Sequence, residues 1–364
     1  MTTPTPVKIK FKKNASPFYA ELKREVTVLL NEEVIENAKN IMLWKFALYT
    51  IIYLSLYSSI YIPSIHSNIY FLVFDYILLG LTGMLLAFNC AHDCVHNTFS
   101  TNKTINKTIF YLVFNLQGVN SRLWHKRHIA SHHIFPNVDG CDADIDDNPF
   151  MRLSPYQQVR WYQKYQHFYA VFLYALYTLH WIFIKDFIYL RKKNLANLKN
   201  QAYSRLFIAE LIVLKLLYLT VFIVLPGLFT PISIVQLLTA FGIMHLVISL
   251  FFVLTLIISH LCLETQFPKV DETGELPYDY YEHQLAVSLD YHPDSVLANS
   301  IFGGFNSHTA HHLFPNLQHT LYTHITPLIR TKAQQYNLPY NESSIPNAIR
   351  SHFRYLKKIG KNKN

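Results

Sequence analysis

The sequence is short of charge, of glycine patterning and of paired cysteines, and each shortage removes a class of protein. Only 15% of the 364 residues are charged while 51% are hydrophobic, which excludes a disordered, highly solvated chain. The four cysteines, Cys90, Cys94, Cys141 and Cys262, form no CxxC pair, so neither a disulfide scaffold nor a structural zinc site is indicated, and they read as small packing residues. No glycine-rich phosphate-cradling fingerprint is present, which argues against a bound nucleotide. There is no internal repeat and no low-complexity tract. The start of the chain carries Lys8, Lys10, Lys12 and Lys13 without a short apolar core and small-residue cleavage site, so it is not expected to be a signal peptide.

What is present is long apolar sequence. A spanning helix needs about 20 largely apolar residues to cross a hydrocarbon core of roughly 30 Å, and four segments qualify: Met42 to Ile62, Ile69 to Ala91, Leu206 to Phe229 and Ile232 to Ser259. The formal charge of +9 could suggest nucleic acid. It is gathered instead in the N-terminal arm, in Lys185 to Arg205 and in the tail from Arg330, whereas the connectors Pro63 to Asn68 and Pro226 to Ser233 contain no Lys or Arg. By the positive-inside rule this predicts cytoplasmic termini and a cytoplasmic central loop, with two short turns outside. Four spans in two hairpins follow, and no nucleic-acid partner.

Residues 1–41 read as a polar arm whose Ser16 to Asn40 region is an amphipathic surface helix, 42–333 as the membrane domain, and 334–364 as a basic cytoplasmic tail. Thr108 to Leu116 is too short to span. Residues 165–190 are long enough, but they carry His167, His180, Lys185 and Asp186 among Tyr and Trp, and an extra crossing would put the basic loop outside. They are read as an interfacial helix. The second span, run on to His96, reaches about 42 Å at 1.5 Å per residue, so its last turns stand in the cytoplasm. The fourth, run on from Ile232 to Glu264, is expected to overshoot on the same side.

Both extensions carry histidine, and histidine is the chemistry-bearing residue here. His92 and His96 are spaced i, i+4, about 40° apart around a helix, so both imidazoles can grip one ion. His128 and His132 repeat that spacing, with His133 turned about 100° away toward a second ion. His308 and His311 lie one turn apart, with His312 beside them. Imidazole suits zinc, copper, iron and nickel. Eight histidines, or nine with His260 at the end of the fourth span, exceed what one ion can use, which predicts two metals. Carboxylates that could accept the second ring N–H stand close by: Asp93 inside the first cluster, and Asp139, Asp142, Asp144, Asp146 and Asp147 after the second.

These residues resemble the membrane fatty acid desaturases, in particular the acyl-CoA or acyl-lipid, linoleoyl-CoA desaturase-like enzymes. The first box looks like His92-Asp93-x-x-His96, the second like Trp124, His128, His132-His133 and Pro136-Asn137, and the third lies in a stretch similar to Gly303 through Pro315. The arm from Val7 to Val26 is similar to the family's N-terminus, and a further histidine at the end of the fourth span corresponds to His260. Departures are His308, where front-end members commonly have Gln, and Leu256, where some relatives have Asn. The double-bond position is therefore not carried over. His283 of Glu282-His283-Gln284 lies where several relatives have a His-Gln pair, with a polar contact the blander reading, and His125 fits no ligand position.

The resemblance implies an all-α integral membrane fold whose four transmembrane helices form two hairpins beneath a cytoplasmic helical cap with a histidine-rich di-iron site. The implied ligands are His92, His96, His128, His132, His133, His260, His308, His311 and His312, holding two ferrous ions with O₂ as co-substrate. The implied substrate is a fatty acyl-CoA or acyl-lipid in the bilayer of a bacterial inner membrane or of the endoplasmic reticulum. With no nucleotide fingerprint and an arm too short for a fused cytochrome b5, electrons are expected from a separate ferredoxin or cytochrome b5 type of donor. A hydroxylase or ketolase of the same histidine-box superfamily is the sister reading. A metal transporter would need ligands along a route within the spans. A membrane cytochrome would need histidines at matching depths in two spans, and His245 has no evident partner. His245 and Lys215, both inside predicted spans, are candidates for lining an acyl channel.

Overall fold

Each of four long apolar helices begins at a side chain that caps its free backbone N–H groups. Asn31 accepts from Val34 N, Asn68 from Tyr70 N and Ser204 from Phe207 N, while Ser233 and Gln236 form a reciprocal capping box. The helices they start are Glu32–Ser59, Ile69–Val95, Arg205–Phe229 and Ile234–Ile257, all long and apolar enough to cross a membrane. The structure is a computed structural model describing residues 9–13, 16–146 and 148–361; Asp147, Val7 and Lys8 lie outside the described residues.

The second and fourth helices form the centre. In their most apolar stretches 61% and 44% of residues are buried, against 17% and 22% for the first and third, which therefore flank them and face outward. Gly80 permits the central contact: a Cβ there would stand 2.6 Å from Met244 Cγ. Several polar groups within the spans find protein partners, as a hydrocarbon solvent favours. A π-turn at Thr220–Val224 in the third helix interrupts regular backbone pairing. Tyr57 and Tyr76 hydroxyls donate to the Val221 and Phe222 carbonyls in that turn, at 2.9 and 2.7 Å.

Several sequence expectations are corrected. The amphipathic helix expected over Ser16 to Asn40 is broken at Leu30–Asn31: Pro17–Leu29 is one helix, and residues from Glu32 onward belong to the helix of the first span. The fourth helix stops at Ile257 and a turn carries His260, so the expected overshoot to Glu264 is absent. The region read as a single interfacial helix is two, Trp161–Ala175 and Tyr177–Arg191, meeting at 68°. Within the basic tail, helix Ile345–Lys361 buries Tyr355, Leu356 and Ile359 against Ala170 and Tyr174. Nor is the chain purely α, since Leu289–Tyr291 pairs in parallel with Asn341–Ser343.

His245 and Lys215 act as fasteners. His245 bonds the Thr178 hydroxyl through Nδ1 at 2.8 Å and the Tyr218 hydroxyl through Nε2 at 2.9 Å. Lys215 donates to Asp186 at 2.5 Å and to the Gly118 carbonyl at 2.6 Å. Both tie the bent helix pair to the spans. At the other end of the molecule, Phe18, Leu22 and Val26 of the arm pack with Ile325 and Ile329 of helix Tyr322–Gln335, covering the third histidine cluster.

Candidate metal centre

The second helix loses its α-helical register at a π-turn, Ala87–Ala91, before its last turn, His92–Val95. His92 and His96 stand on that turn with rings 5.0 Å apart. After Asn120 caps helix Ser121–Arg127, the chain again widens into a π-turn, His128–His132, in which His133 N bonds the His128 carbonyl. The third cluster lies on the short helix His308–Leu313, entered through Gly303 and Gly304, both at positive φ. A Cβ at Gly303 would overlap the Phe88 carbonyl, so glycine is what lets this loop close on the second span.

These elements bring all nine predicted ligand residues together, but not in the predicted pairs. His92, His96, His128 and His311 place nitrogens within 4.8 Å of one another, and His132, His260, His308 and His312 do the same. The π-turn rotates His128 and His132 apart, so the pair expected to share one ion is divided between the groups. His308 joins His312, one α-turn away at i, i+4, rather than His311. His133 lies between, its ring 4.6 Å from His311 and 4.7 Å from His312, with its Nε2 3.0 Å from His128 Nε2.

The donor set fits metal ions. His92, His96 and His133 each direct Nε2 to within 3.3 Å of His128 Nε2, yet one imidazole nitrogen makes a single in-plane hydrogen bond. In the other group, His308 Nε2 lies 2.7 Å from His260 Nε2 and 3.2 Å from His312 Nε2. His311 Nε2 is buried without a hydrogen-bond partner. Burial, and after it the neighbouring imidazoles, hold His128, His133, His308, His311 and His312 well below the ordinary imidazole range. Burial likewise pushes His96 and His260 down to about 3. Neutral imidazoles with converging nitrogens are the donor set that a divalent transition-metal ion takes.

The supporting contacts differ from those expected. His260 Nδ1 donates to the Val287 carbonyl at 2.9 Å, which aims Nε2 inward. His132 Nδ1 lies 3.2 Å from both oxygens of Asp142, and 3.7 Å from Asp144. Burial opposes its charge, but the Asp142 charge and hydrogen bond prevail and raise His132 above its usual value. Asp142 is itself held by the N–H groups of Asn137 and Asp144. Of the other aspartates, Asp144 pairs with Arg127 and Asp146 with Lys192, while Asp93 bonds His319 rather than a cluster imidazole. His283 belongs to neither group; its Nε2 donates to the Pro136 carbonyl at 2.9 Å. His125 is exposed. Trp124, the motif residue before the second cluster, stacks on His128 with centroids 4.3 Å apart. His319 was missed because no spacing connects it to the clusters.

A family model described as fatty acid desaturase matches residues 67–344. The chain is 30% identical over 255 residues to acyl-lipid (8-3)-desaturase B of Dictyostelium discoideum, covering 67% of this chain and 54% of that protein. It is 30% identical over 249 residues to an acyl-lipid (8-3)-desaturase of Physcomitrium patens, covering 68% and 52%. It is 26% identical over 246 residues to an sn-1 linoleoyl-lipid 6-desaturase of Arthrospira platensis, covering 67% and 66%. The chain thus spans about half the length of the first two relatives. With the two histidine groups at the ends of apolar helices, these matches define what the chain is: it belongs to the fatty acid desaturase family.

Proposed function

We propose that this multi-pass membrane protein is a fatty acyl desaturase, and the observation that carries the reading is the pair of neighbouring imidazole groups built at the ends of two central spans. One ion would be held by His92, His96, His128 and His311, the other by His132, His260, His308 and His312, with His133 between them. When bound, iron supplies the redox chemistry with O₂ that an unactivated methylene demands. Overall, –CH₂–CH₂–, O₂, two electrons and two protons become –CH=CH– and two waters. The protein's share is to orient the ligands and exclude water. The Asp142 carboxylate and the Val287 carbonyl hold the rings of His132 and His260, and the arm and C-terminal helices cover the histidines.

The names of the relatives favour an acyl-lipid over an acyl-CoA. The charge distribution supports the two-hairpin topology with both termini and the metal centre on the cytoplasmic side. It also supports a separate acidic electron carrier, of ferredoxin or cytochrome b5 type, steered by the basic surface. The test is expression in a host with simple lipids, followed by fatty acid analysis by mass spectrometry and iron determination on the purified chain. New unsaturated acyl chains together with about two irons per chain, as two ligand groups predict, are the expected result. Unchanged lipids in a chain that holds both irons would overturn desaturation. His132→Ala should lose iron and activity together.

A further inference from the structure

The first histidine pair sits at the free end of a helix, where backbone bonding runs out and ends fray. The second group is steadied through its rings, His132 by Asp142 and His260 by the Val287 carbonyl. The turn that carries His92 and His96 is held instead at Asp93, between them. The Asp93 carbonyl accepts from the Thr98 N–H at 3.0 Å and hydroxyl at 3.1 Å. Its side chain reaches out of the cluster altogether. Asp93 Oδ2 is 2.7 Å from His319 Nδ1 and 3.4 Å from the His319 N–H.

His319 is fully buried. Its carbonyl accepts from Asn299 Nδ2 at 2.9 Å, and its Cβ packs where a Cβ on Gly304 would come within 2.6 Å. On its far side, Nε2 lies 3.0 Å from Lys45 Nζ, and that ammonium also donates to Asn89 Oδ1 at 3.0 Å. The protons follow from elementary chemistry. With Lys45 as an ammonium, which has donors only, His319 Nε2 accepts, Nδ1 carries the hydrogen and Asp93 receives it. A positive and a negative charge thus compensate one another across a neutral imidazole. Lys45 belongs to the first span, a helix otherwise turned mostly outward.

We infer that Lys45, His319 and Asp93 form a clamp that sets the pitch of the turn bearing His92 and His96, making Lys45 and His319 positioning residues for one of the two metal ions. The inference rests on the metal-centre reading above. The clamp joins three parts of the chain far apart in sequence: the first span, the end of the second, and the turn after the third cluster. It therefore fixes the first histidine pair relative to His311, which arrives on the same segment as His319. Partners that orient metal ligands from behind are worth about 10–100-fold in metal affinity.

The test uses the full chain in lipid nanodiscs, stripped of metal and titrated with ⁵⁷Fe(II), for wild type, Lys45→Met and Lys45→Arg. Methionine keeps the length and packing of lysine but cannot donate. The metal-free Lys45→Met protein should melt near wild type and bind one ion normally, with the other weakened about 10-fold or more. One of the two ferrous Mössbauer doublets should broaden or shift, and Lys45→Arg should restore it. Asp93→Asn, which keeps size and removes charge, provides a second variant and should weaken the same ion. Wild-type affinity for both ions and an unchanged spectrum in Lys45→Met and Asp93→Asn would overturn the clamp alone. A wild-type chain that binds no iron would overturn the clamp and the metal centre together.

Discussion

At the residue scale, Asp142 does what no other aspartate near the second cluster does among the described residues: it holds both oxygens against a cluster imidazole while its own position is fixed by two backbone N–H groups. Asp142→Asn should therefore lower iron affinity about 10–100-fold while leaving the fold intact, checked by iron titration beside circular dichroism. Away from the metals, His352 donates to the Leu261 carbonyl at 2.7 Å and bonds the Tyr174 hydroxyl at 2.8 Å, and burial pushes it down to about 4. In the unfolded chain it would titrate near 6.5. Between these values the unfolded chain holds a proton that the folded chain does not. Stability therefore falls as pH drops from about 6.5 toward 4, by up to about 3 kcal/mol for this group. Thermal unfolding of His352→Gln should show a lower melting temperature at neutral pH and a flatter decline on acidification than wild type.

At the scale of elements, histidine spacing is reliable only while the helix keeps its period. The i, i+4 pair His92 and His96 does share a group, because Ala87–Ala91 widens the helix before the pair and not within it. The π-turn at His128–His132 falls inside the second pair and separates it. Nothing in the residues between them announces a π-turn, which places His128 and His132 in different groups. The bent pair Trp161–Ala175 and Tyr177–Arg191 depends likewise on long-range contacts. Asp186 is completely buried and takes Lys215, Trp181 Nε1 and Asn120 N as partners. Lys215→Met leaves that carboxylate without its cation and should destabilise the fold by about 3–5 kcal/mol. The double variant Lys215→Met/Asp186→Asn should recover part of the loss in the same denaturation assay.

At the scale of the whole molecule, the proposed topology puts the basic segments on the same side of the membrane as the histidine clusters. If an acidic carrier delivers electrons there, turnover should slow several-fold as salt rises into the range where the Debye length shortens to about 3 Å. A rate indifferent to salt would rule out electrostatic steering. Cysteine scanning with a membrane-impermeant reagent would test the topology: Ser64 and Thr230, in the two short turns, should be labelled from outside, and Lys126 only after permeabilisation.

The four long apolar helices, the membrane setting and the histidines that gather were already legible in the sequence, because apolar length and local helical spacing are properties of contiguous residues. The pairing of histidines into two groups was not legible. It depends on two π-turns, on the early end of the fourth helix at Ile257 and on loops closed by Gly303 and Gly304. The supporting residues were hidden for the same reason. Lys45, His319 and Asp93 are separated by tens or hundreds of positions, and only packing of the first span against the third cluster places an ammonium, an imidazole and a carboxylate in line. Composition and period determine which segments enter the membrane and which side chains can bind metal; the tertiary structure decides which of them meet, since that is set by contacts between segments and not by order along the chain.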